Sequence, residues 1–183
     1  MTTIDAAASS LRQGGVIAYP TEGVWGLGCD PFNEPAVQRI LTLKQRPVEK
    51  GLILVAASIE QTQVLTGPLP QPCKKRLDET WPGPNTWLIP DPDHVIPAWI
   101  RGQFDTVAIR VSRHPAVVAL CEKFGGMLVS TSANPADLPP ALTEQQVRDY
   151  FPDGIDLVLP GELGGQQGPS TIRDLMSELV IRQ

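Results

Sequence analysis

Short apolar runs at Val16–Tyr19, Leu52–Ala57, Val107–Val111 and Met127–Ser130 punctuate the chain, each bounded by glycine, proline or polar residues. Runs of this kind predict buried strands. Thr86–Ile89, Leu157–Leu159 and a last segment near Val180–Arg182 add weaker strand signals, and Val24–Gly28 is a further candidate. Helical patterns fall between them. Residues 3–13 read as a short helix stopped by Gly14-Gly15. Asn33 is placed to cap a second helix with Glu34 in its first turn. Helical pieces follow near 58–66 and 71–81, Pro115–Phe124 opens on proline and closes before Gly125-Gly126, and Thr143–Tyr150 is another. Asp91–Phe104, rich in proline and tryptophan, reads as an irregular surface excursion. Helices and strands alternate without a clean βα repeat. The expected fold is therefore α/β (mixed α+β): one domain over 1–183, a twisted mixed sheet with helices on its faces.

One helix breaks its own pattern. Val37, Ile40 and Leu41 fall at i, i+3 and i+4, and the next position on that stripe is Lys44. A lysine there points inward, and its burial calls for an anionic partner. A side chain snorkelling from a helix end is the plainer alternative. If the cation lacks its ligand, removing it is expected to leave the fold intact. Pro47 biases Arg46 away from helical geometry, so Lys44 and Arg46 can converge on extended backbone. Ser132 and Asn134, followed by Pro135, repeat that arrangement. The two pairs would present four polar groups to one pocket, although a solvated turn explains either pair about as well. Glycines 23, 26 and 28 serve turns or the close approach of a ligand.

Charge narrows the ligand. The net charge of −5 argues against nucleic-acid binding over the whole surface. Yet Lys44, Arg46, Lys50, Arg110 and Arg173 all lie in the segments that look functional. A cationic pocket in an acidic protein suits a small phosphorylated or carboxylated ligand. No apolar run approaches the ~20 residues of a membrane span. Residues 1–13 lack a basic start and an apolar signal core, so a soluble, cytoplasmic protein is expected. Cys29, Cys73 and Cys121 are widely spaced and read as reduced thiols, and His94 and His114 do not complete a zinc site with them. The common nucleotide fingerprints are missing, and Ser132 has no identifiable histidine base for a nucleophilic role.

The ordered blocks together point further. They are Tyr19-Pro-Thr-Glu-Gly-Val-Trp-Gly-Leu-Gly-Cys-Asp30, Lys44-Gln-Arg-Pro47, Lys50-Gly-Leu-Ile-Leu-Val55, Trp81-Pro-Gly-Pro-Asn-Thr86, Val107-Ala-Ile-Arg-Val111, Ser130-Thr-Ser-Ala-Asn134 and Pro169-Ser-Thr-Ile-Arg-Asp174. In this order the chain resembles the YrdC/TsaC family, in its short bacterial form, over nearly its whole length. The resemblance implies a twisted sheet around a concave cleft. It also implies a reaction in which L-threonine, bicarbonate and ATP yield threonylcarbamoyl-AMP and pyrophosphate, with Mg²⁺ accompanying ATP and few protein ligands to the metal. The product would supply a transferase complex that modifies tRNA. Carried over residue by residue, the catalytic set is Lys44, Arg46, Ser132 and Asn134. ATP contacts add Lys50, Ser170 and Arg173, and threonine contacts fall to Thr21, Arg110 and Thr131. Longer relatives carry a histidine near threonine where Ala56 stands here. A double-stranded RNA-binding or ribosome-maturation module is the alternative that the same resemblance allows.

Overall fold

The computed structural model describes residues 3–166, 168 and 170–182. In chain order the strands are β1 (Ile17–Pro20), β2 (Trp25–Gly28), β3 (Ile53–Ala56), β4 (Asn85–Pro90), β5 (Thr106–Val111), β6 (Leu128–Ser132), β7 (Leu157–Val158), β8 (Thr171–Asp174) and β9 (Val180–Arg182). They form one sheet in the order β7-β1-β2-β6-β3-β5-β4-β8-β9. Pairing is parallel for β7–β1, β3–β5 and β4–β8 and antiparallel elsewhere, so the sheet is mixed, as expected. The helices are α1 (Thr3–Arg12), α2 (Glu34–Lys44), the single turns α3 (Gln63–Thr66) and α5 (Ala98–Arg101), α4 (Gln71–Thr80), α6 (Pro115–Phe124) and α7 (Glu144–Tyr150). Among the described residues no helix is long and apolar enough to cross a membrane.

Ladder partners share a face of the sheet, which sorts the core. Ala18, Leu27, Leu54, Trp87, Ile109 and Val129 lie on one face and belong to the larger core cluster, which α2, α4 and α7 cover. On the other face Ile17, Tyr19, Val55 and Leu128 are covered by Ala7 and Leu11 of α1 and by Val117, Leu120 and Cys121 of α6. These two helices shield only part of that face. Further along it, Ser130 and Ser132 of β6, Ile53 of β3 and Arg110 of β5 line an open cavity. The functional cleft is the uncovered part of one sheet face.

Two expectations fail, wholly or in part, for packing reasons. Asp91–Phe104 is a surface excursion only in part, because some of its residues anchor it in the core. Ile96 and Ile100 are in the core, the Asp91 carboxylate accepts from the backbone N–H of Val95 and Ile96, and Trp99 donates to the Pro31 carbonyl. Strand β8 has no counterpart in the sequence reading. Its Thr-Ile-Arg-Asp run is too polar to signal a strand, and it exists because β4 offers a parallel edge. The three cysteines are free and buried, and burial pushes the Cys29 and Cys121 thiols up to about 12.

Candidate active site

The cleft measures about 940 Å³ counted out to its open mouth. Of the residues singled out in the sequence, Thr21, Arg46, Arg110, Thr131, Ser132 and Ser170 line it. Thr21 ends the β1 side of a tight turn, its Oγ1 donating to the Val24 carbonyl at 2.7 Å. Ser170 Oγ shares a 2.6 Å hydrogen bond with Thr86 Oγ1. Arg46 emerges where α2 stops at Gln45, whose φ of 49° turns the chain out of the helix. Its guanidinium donates to the Gly51 carbonyl from Nε (3.1 Å) and Nη2 (2.9 Å).

Lys44 and Asn134 lie behind the wall rather than in it. Asn33 caps α2 by accepting from the Ala36 N–H, and Lys44 continues the buried stripe and is only 5% exposed. Among the described residues no carboxylate meets it. Its Nζ donates to the carbonyls of Ser132 (2.5 Å) and Asn134 (2.8 Å) and to Asn134 Oδ1 (3.3 Å). The anionic partner expected from the sequence is thus replaced by three neutral oxygens, and the lysine stitches α2 to the end of β6. Burial, with Arg46 nearby, pushes its pKa down to about 8. The Asn134 amide is spent on the Pro135 and Leu138 carbonyls of its own loop. Lys50 is exposed and lines a neighbouring cavity. Arg173 pairs with Trp87 and so falls on the face away from the cleft, with its Nε buried and unpartnered. Ala56 also belongs to the core of that opposite face.

Other residues build the site without any signal in the sequence reading. Arg182 of β9 pairs with Ile172 and lines the cleft beside Arg46. Burial lowers both guanidiniums' pKa values, and for Arg46 the Arg182 charge adds to the effect. Neither has a carboxylate partner among the described residues. Arg110 differs, because its Nη1 meets Glu22 Oε2 at 2.7 Å in a pair buried on both sides. Glu22 Oε1 also accepts from Ser112 Oγ (2.6 Å) and from the Arg113 N–H (3.2 Å). Burial alone would raise the Glu22 pKa, but the Arg110 charge and the Ser112 hydroxyl outweigh it and hold the carboxyl below its ordinary range. Gln166 and Gly168 line the cleft on one side, and the segment 161–166 is tied to the β1–β2 turn. Gly164 N–H donates to the Thr21 carbonyl, Gln166 N–H to the Glu22 carbonyl, and the Glu162 carbonyl meets His114 Nε2. A Cβ on Gly23 would lie 2.3 Å from the Gly168 carbonyl oxygen, so only glycine permits this approach.

Adjoining the cleft is a second cavity of about 710 Å³. Its floor is the continuing sheet face, Ile53, Ala108, Leu88 and Ile172, and Lys50, Arg46 and Arg182 stand at its edges. Among the described residues no group of three or more His, Cys, Asp or Glu side chains is placed to hold a metal ion.

Three guanidiniums and several hydroxyls converging on an open sheet face define an α/β domain built to bind organic anions. The chain belongs to the Sua5/YciO/YrdC family, whose model, described as telomere recombination, matches residues 9–183. It is 58% identical to the threonylcarbamoyl-AMP synthase of Pseudomonas paraeruginosa over 176 residues, which cover 96% of this chain and 94% of that relative. Its fold matches P. abyssi Sua5 complexed with L-threonine, with a TM-score of 0.88 and 34% identity, covering 97% of this chain and 52% of the longer one. E. coli YciO matches with a TM-score of 0.85 and 25% identity, over 98% of this chain and 88% of that one.

Proposed function

We propose that this protein is an L-threonylcarbamoyladenylate synthase, joining L-threonine, bicarbonate and ATP into threonylcarbamoyl-AMP and releasing pyrophosphate. The observation that carries the reading is the division of charge in one cleft. Among the described residues Arg110 is paired with a carboxylate, whereas Arg46 and Arg182 are not. The unpaired guanidiniums suit the triphosphate, and the adjoining apolar cavity with Lys50 at its edge suits the nucleoside. Arg110 has further N–H groups for threonine's carboxylate, with Thr21 and Thr131 beside it.

In this scheme threonine's amine takes up bicarbonate to form a carbamate with loss of water. A carbamate oxygen then attacks the α-phosphorus, and pyrophosphate departs from the opposite side. The side chains act by positioning and by charge, not as covalent partners. Ser132 orients the reacting groups from the end of β6, and Lys44 and Asn134 act by holding that strand end. Among the described residues no carboxylate lines the cleft, so Mg²⁺ fits as the counter-ion that ATP brings with it, not as a resident metal. The product is a reactive mixed anhydride, and its consumer in this reading is a transferase complex acting on tRNA. The RNA-binding alternative is not favoured, because the cations converge inside a cleft and do not form an exposed stripe.

Pyrophosphate release measured with each substrate omitted in turn tests the proposal. Release must need bicarbonate as well as threonine, and labelled bicarbonate must enter the nucleotide product. An enzyme that activates threonine's own carboxylate would run at full rate in carbon-dioxide-free buffer, and that result would refute the assignment.

A further inference from the structure

Glu22 touches none of the open volume, yet it is the acidic group bonded to a cleft guanidinium among the described residues. Its position is over-determined. Arg110 Nη1, Ser112 Oγ and Arg113 N–H converge on its two oxygens, and its own carbonyl receives Gln166 N–H. Ser112 is fixed in turn, its Oγ accepting from the His114 N–H at 3.0 Å. A carboxylate held by this many donors stays ionised and does not turn away when a ligand arrives.

We propose that Glu22 is the specificity-determining residue that divides the cleft by charge, keeping phosphate groups off Arg110 so that the amino acid alone occupies that end. The inference rests on the reading of the cleft as a site for an amino acid and a nucleotide. An uncompensated guanidinium in a partly dry cleft attracts a polyanion more strongly than a monoanion. The Arg110–Glu22 pair carries no net charge, so a phosphate gains little there and still loses its hydration. A carboxylate is held instead by the fixed N–H fork, through geometry more than net charge. Arg46 and Arg182, bonded among the described residues to carbonyls alone, keep their full pull on the triphosphate. One buried acid thus gives two anionic substrates different addresses in a single cavity and prevents the nucleotide from binding with its phosphates in the amino-acid end.

Glu22→Gln tests this with little change of shape. The amide oxygen can still accept from Arg110 and the Ser112 hydroxyl can turn to accept from the new amide, so that only the 3.2 Å contact with the Arg113 N–H is lost. The probe is inorganic tripolyphosphate, titrated calorimetrically against the full chain. Wild type should bind it in competition with ATP and not with threonine. In Glu22→Gln a further phosphate site should appear, tripolyphosphate should compete with threonine, and the KM for threonine should rise about tenfold while that for ATP moves far less. Glu22→Asp keeps the charge and should keep tripolyphosphate off the threonine end. An unchanged competition pattern in Glu22→Gln overturns the proposal, as does an equal loss of both substrates accompanied by a lower unfolding temperature. The phosphate titration needs no turnover. A protein that releases no pyrophosphate would therefore sink the assigned reaction and still report on Glu22.

Discussion

Lys44 is a cation whose partners are carbonyl oxygens, and its energetics differ from those of an ion pair. Removing it takes the lysine donor from the partly buried Asn134 carbonyl and leaves the Ser132 carbonyl with the Asn134 N–H as its partner. Lys44→Met should therefore lower stability by about 1–3 kcal/mol in urea unfolding, a cost that the expectation of an intact fold did not include. The pH dependence has a definite sign. The folded pKa of about 8 lies below that of a free lysine, so between the two values the unfolded chain binds more protons. Wild-type stability should then gain on Lys44→Met as pH rises from about 8 to about 10.4. A difference that stays flat over this window would mean that Lys44 is not desolvated. Arg110 illustrates the opposite case. Arg110→Ala leaves Glu22 buried without its countercharge and should cost about 3–5 kcal/mol. Adding Glu22→Gln should restore much of that loss, and a double variant no more stable than Arg110→Ala would show that the two are uncoupled.

At the level of elements, the segment 161–166 is held to the β1–β2 turn by backbone hydrogen bonds and by the close passage of Gly23. Gly23→Ala should push the two apart at about 1–3 kcal/mol. Proteolysis near residues 161–166 should speed up while far-UV circular dichroism stays unchanged. Equal cleavage rates in variant and wild type would mean that the segment does not depend on this contact. Elements with strong local signals were legible. Proline and glycine bound α6 at Pro115–Phe124, and Asn33 caps α2 as its side-chain chemistry suggests. Strand β8 and the turn at Ala98–Arg101, anchored by Ile100, were not, because each owes its form to a neighbour: β4 for one, the core around Ile96 and Ile100 for the other.

For the whole molecule, the net charge of −5 and the gathering of cations in one cleft make a contrast that salt can probe. Nucleotide binding should weaken modestly as salt rises, and double-stranded RNA should not displace ATP at physiological ionic strength. Displacement by RNA in a filter-binding competition would revive the RNA-binding alternative. The sequence by itself determined the class of fold, the strand and helix ends that carry Thr21, Arg46, Arg110 and Ser132, and the anionic nature of the ligand. Those follow from local periodicity, turn residues and charge, which act over a few neighbouring positions. Tertiary structure alone decided which face each cation serves. Strand alternation and pairing turned Arg173 away, an irregular β8–β9 register raised Arg182 into the cleft, and the β1–β2 turn brought Glu22 against Arg110, 88 positions away. A side chain's address in a sheet depends on pairing partners that lie far off in the chain, and no local pattern encodes it.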